Sequence, residues 1–112
     1  MIISSRLLIS GIALIVNSLA FAACPFPKEV SVPDGATATT DEMVEAQARV
    51  KQYMAEMEGY LDCLDREEAS ISEKQTPEAK ALHVQRHNAA VDAMESVAAQ
   101  FNEQIRAYKQ VN

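Results

Sequence analysis

Three glycines in 112 residues leave no material for a glycine-rich phosphate loop, and neither Ser70 nor Ser72 stands in the Gly-x-Ser-x-Gly setting of an activated nucleophile. Positive charge is also scarce: 10 Lys plus Arg face 16 Asp plus Glu, for a formal net charge of -6. Such a chain repels phosphate backbones, and it has no basic patch interleaved with aromatics, so nucleic acid is excluded as a partner. Long apolar runs are missing too. The longest, Leu7 to Val16, is interrupted by Ser10 and Gly11 and falls short of the roughly 20 residues that a spanning helix needs.

That short run belongs to a different device. Arg6 precedes it and Ala20-Phe21-Ala22 follows it, the layout of a secretory signal peptide cleaved after Ala22. Residues 1-22 are therefore read as a targeting segment, and the mature chain as periplasmic or secreted, without a membrane span. Cleavage removes one charge, Arg6, and makes the remainder one unit more negative. A domain of this size buries about 60 to 65% of its unfolded surface, so its core is thin and an added constraint is expected.

The constraint is at hand in Cys24 and Cys63, both of which survive cleavage; in an exported protein two cysteines predict one disulfide. A competing use for Cys24 is lipid anchoring, because Phe21-Ala22-Ala23-Cys24 resembles a lipobox. Phe21 stands where that motif usually has Leu, and a lipidated Cys24 would leave Cys63 unpaired.

Residues 23-39 hold three of the four prolines and the turn signal Pro33-Asp34-Gly35. Proline fixes φ and drives its predecessor to extended geometry, which predicts an extended arm ending in a turn. Thr39 followed by Glu42 is a capping-box pattern and starts a helix over about 40-72. Thr76 with Pro77 and Glu78 marks a second start, for a helix over about 77-110. A connection of a few residues forces the two helices antiparallel. The expected fold is all-α: a coiled-coil-like two-helix hairpin over 40-112, with the proline-rich arm pinned to it by the disulfide.

Met43, Val50, Met54, Met57, Leu61, Leu64 and Ile71 form the expected seam of the first helix, with Ala46, Tyr53 and Tyr60 flanking it. Val84, His87, Val91, Met94, Ala98, Phe101, Ile105 and Tyr108 form that of the second. The methionines fall on the helical period, which predicts core packing rather than soft metal ligands. Gln47 and Glu68 are polar residues in the seam, positions that fix register or border a partner site. Reaching Cys63, about 35 Å along the helix, requires the arm to fold back. Ala55, Gly59 and Cys63 then form a shallow groove for Pro25, Phe26 and Pro27, with Gly59 allowing close approach. A small-residue stripe on the second helix, Ala89, Ala90, Ala93 and Val97, calls for cover by the arm or by a second copy in a four-helix bundle.

Several segments, Pro33-Asp34-Gly35-Ala36-Thr37-Ala38-Thr39, Tyr60-Leu61-Asp62-Cys63-Leu64, His87-Asn88-Ala89-Ala90-Val91-Asp92 and Phe101-Asn102-Glu103-Gln104-Ile105-Arg106, resemble a group of uncharacterised small exported proteins of Gram-negative bacteria. The resemblance implies export and a helical fold. It carries no reaction, ligand or catalytic residue.

His83 and His87, one helical turn apart, are the candidate metal ligands, with Glu67 or Glu68 as a third. Val84 stands where a zinc protease would place its glutamate, which excludes that reaction. The plainer alternative puts His87 in the seam against Leu61 and Leu64 and pairs His83 with a glutamate. The carboxylates Glu56, Glu58, Asp62, Asp65, Glu67 and Glu68 fit a solvated face, since acid-base catalysis needs two of them in a cleft. These residues point to a non-enzymatic protein without cofactor that binds another protein or itself. A periplasmic metal-binding protein and a Cys24-anchored lipoprotein are the alternatives.

Overall fold

The computed structural model describes residues 24-112; residues 1-22, expected to be a signal peptide, lie outside them. The extended arm leads to helix α1, Thr40–Ile71, then a three-residue 3-10 turn, Ser72–Lys74, and helix α2, Pro77–Val111. The two helices pack against one another as an antiparallel hairpin, and no strand occurs among the described residues. No described helix is long and apolar enough to cross a membrane.

Both helix starts follow from local chemistry. The Thr39 hydroxyl accepts from Glu42 N at 3.2 Å, and the Glu42 carboxylate accepts from Thr39 N at 3.1 Å, the reciprocal pair of a capping box. The Thr76 hydroxyl accepts from Ala79 N at 3.1 Å ahead of Pro77, whose missing N–H costs nothing in a first turn. Before α1, Asp34 builds the turn: its side chain accepts from Ala36 N and its carbonyl from Thr37 N and Ala38 N.

The core of α1 is Met43, Ala46, Val50, Tyr53, Met57, Tyr60 and Leu64, an unbroken three-four alternation. Met57 and Leu64 are fully enclosed, each stabilising the fold by about 1.5 to 3 kcal/mol. From α2 come Ala90, Val97 and Phe101. This core keeps Met43, Val50, Met57, Leu64 and Phe101 of the expected seam and is rotated from it at the alternate positions, which fall one residue earlier on both helices. Ala46, Tyr53 and Tyr60 are buried where Gln47 is exposed and Met54 and Leu61 are half-buried; Ala90 and Val97 are buried where Val91 and Ala98 are half-buried. Val84 and Ile71, expected in the seam, are 50% and 42% exposed.

The arm causes the rotation. It lies along one side of the hairpin as a third layer, with Val30 and Val32 against the core and the Phe26 ring edge-on to Tyr60, centroids 5.2 Å apart. Phe26, Val30, Tyr53, Ala93 and Val97 border one cavity, so the small-residue stripe of α2 is covered by the arm at Ala93 and Val97. Residues facing the arm side are drawn inward, and their neighbours one position on are left at the opposite edge.

Two bonds tie the arm to the hairpin, and a third closes the hairpin beside its end. Cys24 and Cys63 form the disulfide, Cα atoms 5.8 Å apart. Gly35 N donates to Gln104 Oε1 at 2.9 Å, and the hydroxyls of Thr40 and Tyr108 hydrogen-bond across the open end of the hairpin. The glycine that permits close approach is Gly35 rather than Gly59. A Cβ on Gly35 would stand 1.9 Å from the Gln104 carbonyl oxygen, whereas one on Gly59 would meet nothing within 4 Å. The groove expected at Ala55, Gly59 and Cys63 is instead an open hollow of about 600 Å³ among Pro25, Phe26, Pro27, Gly59, Tyr60 and Cys63, and Ala55 is exposed.

Candidate functional site

Two features of the hairpin carry functional potential: a polar cluster near its closed end and an apolar edge on the side away from the arm.

The polar cluster is assembled across the helix pair. Asp65 and Glu68 are three residues apart on α1 and therefore neighbours on its surface, and His83 comes from the second turn of α2. His83 Nε2 stands 2.7 Å from a Glu68 oxygen and 3.7 Å from an Asp65 oxygen. The imidazole is sheltered, its side chain 16% exposed, and Glu68 is half-buried beside it. These three side chains bring one donor atom each within 4.8 Å of one another.

The expected ligand set is thereby revised. His83 and Glu68 come together; Glu67 and His87 do not join them. The Glu67 carboxylate turns to Arg86 at 3.6 Å. Arg86 is held charged, its pKa pushed up first by hydrogen bonding to Tyr60, against the opposing effect of burial, and further by Glu67. His87 is half-buried along the helix pair, as a packing residue would be. Asp65 was missed because its relevance depends on a partner from the other helix, which its own surroundings in the chain do not signal. Glu68, expected as a polar seam residue, spends its polarity on His83; Gln47, the other, is exposed at the opposite end of α1.

The second feature is what the arm leaves uncovered. Relative to Met57, residues 53 and 60 lie on one side of the seam and 54 and 61 on the other, by the 100° step of the helix. The arm covers the first side. On the second, Met54, Leu61, Met94 and Ile105 pack against the core yet stay partly open. Towards the open end of the hairpin the same edge widens into a depression of about 240 Å³ bordered by Met43, Val44, Gln47, Phe101 and Ile105. Val44 there is 59% exposed.

The Cys24 sulfur, bonded to Cys63, has no valence left for a lipid thioether. Anchoring at Cys24 and the pinned arm exclude each other. The carboxylates Glu56, Glu58, Asp62, Asp65 and Glu67 lie on exposed surface, and Asp62 pairs with Arg66 at 3.3 Å one helical turn on.

Searches of protein-family models, of curated proteins and of solved structures return no match to this chain.

Proposed function

We propose that this chain is an exported, non-enzymatic helical protein that acts by binding a protein partner, or a second copy of itself, along the uncovered edge of its hairpin. The observation that carries the reading is the one-sided cover. A hairpin of two helices exposes apolar surface on both sides of its seam, and the arm can lie on only one of them. Met54, Leu61, Met94 and Ile105 are left partly open along a common edge, with Val44 beside them. Two methionines on that edge suit an adaptable contact surface.

Export to the periplasm or beyond draws support from the disulfide, which persists in oxidising compartments and is rare in the cytosol of mesophiles. Supporting the non-enzymatic reading, the carboxylates lie along an exposed helix face rather than in a cleft.

Sedimentation equilibrium of the oxidised chain, native and with Leu61→Glu plus Met94→Glu, tests the reading. Concentration-dependent association that the double substitution abolishes supports self-association through this edge. If the native chain stays monomeric, photo-crosslinking in the periplasm from positions 61 and 94 tests for another partner. Absence of any crosslinked protein from either position, together with a monomer at all concentrations, would sink the reading.

A further inference from the structure

We propose that Asp65, Glu68 and His83 form a site for a single divalent transition-metal ion, with zinc as the fitting probe. Geometry, charge and room each favour an ion there, independently of the uncovered edge.

Zinc bound by nitrogen and oxygen takes ligands at about 2.0 to 2.2 Å, and tetrahedral angles then set its donors about 3.3 to 3.5 Å apart. His83 Nε2 lies 2.7 Å from Glu68 and 3.7 Å from Asp65, distances that bracket this spacing. All three donors lie within 4.8 Å of one another, the compass of a single ion. One imidazole and two carboxylates are ligands suited to zinc, and three protein ligands leave a fourth position for water.

Charge points the same way. Among the described residues, neither Asp65 nor Glu68 has any ion-pair partner other than His83, so two carboxylates converge on one imidazole. Even a protonated His83 would leave a net negative charge there, whereas a divalent cation on a neutral imidazole matches both carboxylates. The nearby cation Arg86 is already engaged by Glu67 at 3.6 Å. Room for the open coordination position is present as well. A cavity of about 90 Å³, bordered by Glu68, Gln75, Leu82 and His83 and on its far side by the paired Glu67 and Arg86, adjoins the cluster and has room for water.

The ion would join α1 to α2 near the closed end of the hairpin, where the 3-10 turn Ser72–Lys74 has no side-chain cap. The disulfide ties only the arm to α1. Metal binding would supply the covalent-like link between the two helices that the disulfide does not.

The test is calorimetric titration of the oxidised, chelator-stripped chain with zinc alone, paired with thermal melts. One ion per chain is expected, with a melting temperature that rises with zinc. His83→Ala should abolish both effects, Glu68→Gln and Asp65→Asn should each weaken binding about tenfold or more, and His87→Ala should leave it unchanged. Circular dichroism without metal checks that each variant folds, and the near-isosteric Glu68→Gln keeps the test valid if His83→Ala does not. X-ray absorption of the loaded native chain should show nitrogen and oxygen ligands with one imidazole. No zinc-dependent heat or melting shift in the native chain would overturn the proposal. So would loss of binding in His87→Ala with Asp65→Asn unaffected, or a spectrum showing two imidazoles.

Discussion

Gly35 is seated against the backbone of Gln104: its N–H donates to the Gln104 side-chain oxygen at 2.9 Å, and any Cβ there would come within 1.9 Å of the Gln104 carbonyl oxygen. The obstacle is main chain inside a helix, which cannot turn aside as a side chain does. Gly35→Ala should therefore lift the Asp34 turn off α2 and break the N–H contact. Overpacking of this kind costs about 1 to 3 kcal/mol, or on the order of 4 to 8 °C in melting temperature per kcal/mol for a domain this small. Thermal melting followed by circular dichroism measures it, and an unchanged midpoint would show that the turn is not held there.

Gly59 should behave in the opposite way. It lies inside α1, a Cβ there would meet nothing within 4 Å, and glycine is the weaker helix former by about 1 kcal/mol. Gly59→Ala is expected to raise stability by up to that amount in a urea titration. A decrease would mean that the arm closes more tightly on α1 than the hollow beside Phe26 implies.

Reduction of the Cys24–Cys63 bridge should free the first part of the arm while leaving the helices formed. On the chain-entropy model, a closed loop with a sequence separation of 39 stabilises the fold by about 4 kcal/mol. Cys24→Ser plus Cys63→Ser should lower the unfolding free energy by an amount approaching this, with helical circular dichroism retained at low temperature and faster proteolysis between Pro25 and Val32. Both helix starts are capped by residues outside the bridge, which is why helicity should survive.

Tyr53 links stability to alkaline pH. Burial under the arm, and after it the negative charge of Glu29, push its phenol above the ordinary value of 10.0. Above that pH the unfolded chain sheds a proton that the folded chain retains. The stabilising contribution is thus complete below pH 10 and declines as pH rises towards the folded value. Absorbance titration of the three tyrosines should show one ionising late. Tyr53→Phe should remove that component and reduce the alkaline loss of stability; a late component that persists would assign it to Tyr60 or Tyr108.

The features legible in the chain itself were those set by neighbouring residues. Thr39 with Glu42, and Thr76 with Pro77, carry their helix starts in their own side chains, and the observed boundaries, Thr40–Ile71 and Pro77–Val111, fall within a residue of the expected ones. The short connection dictated an antiparallel hairpin, and two cysteines left a single possible intrachain bridge. Helical periodicity located the buried stripe of each helix only to within one residue, because adjacent positions on either side of a seam have nearly equal apolar character. The arm made that decision. Its extended backbone has no period to read, yet by lying beside Tyr53, Tyr60 and Val97 it determined which stripe sank and which edge stayed open. The same holds for the polar cluster. His83 and Glu68 stood out in the chain, but Asp65 and the diversion of Glu67 to Arg86 depend on how α1 and α2 register across their interface, a relation between residues far apart in the sequence that only packing resolves.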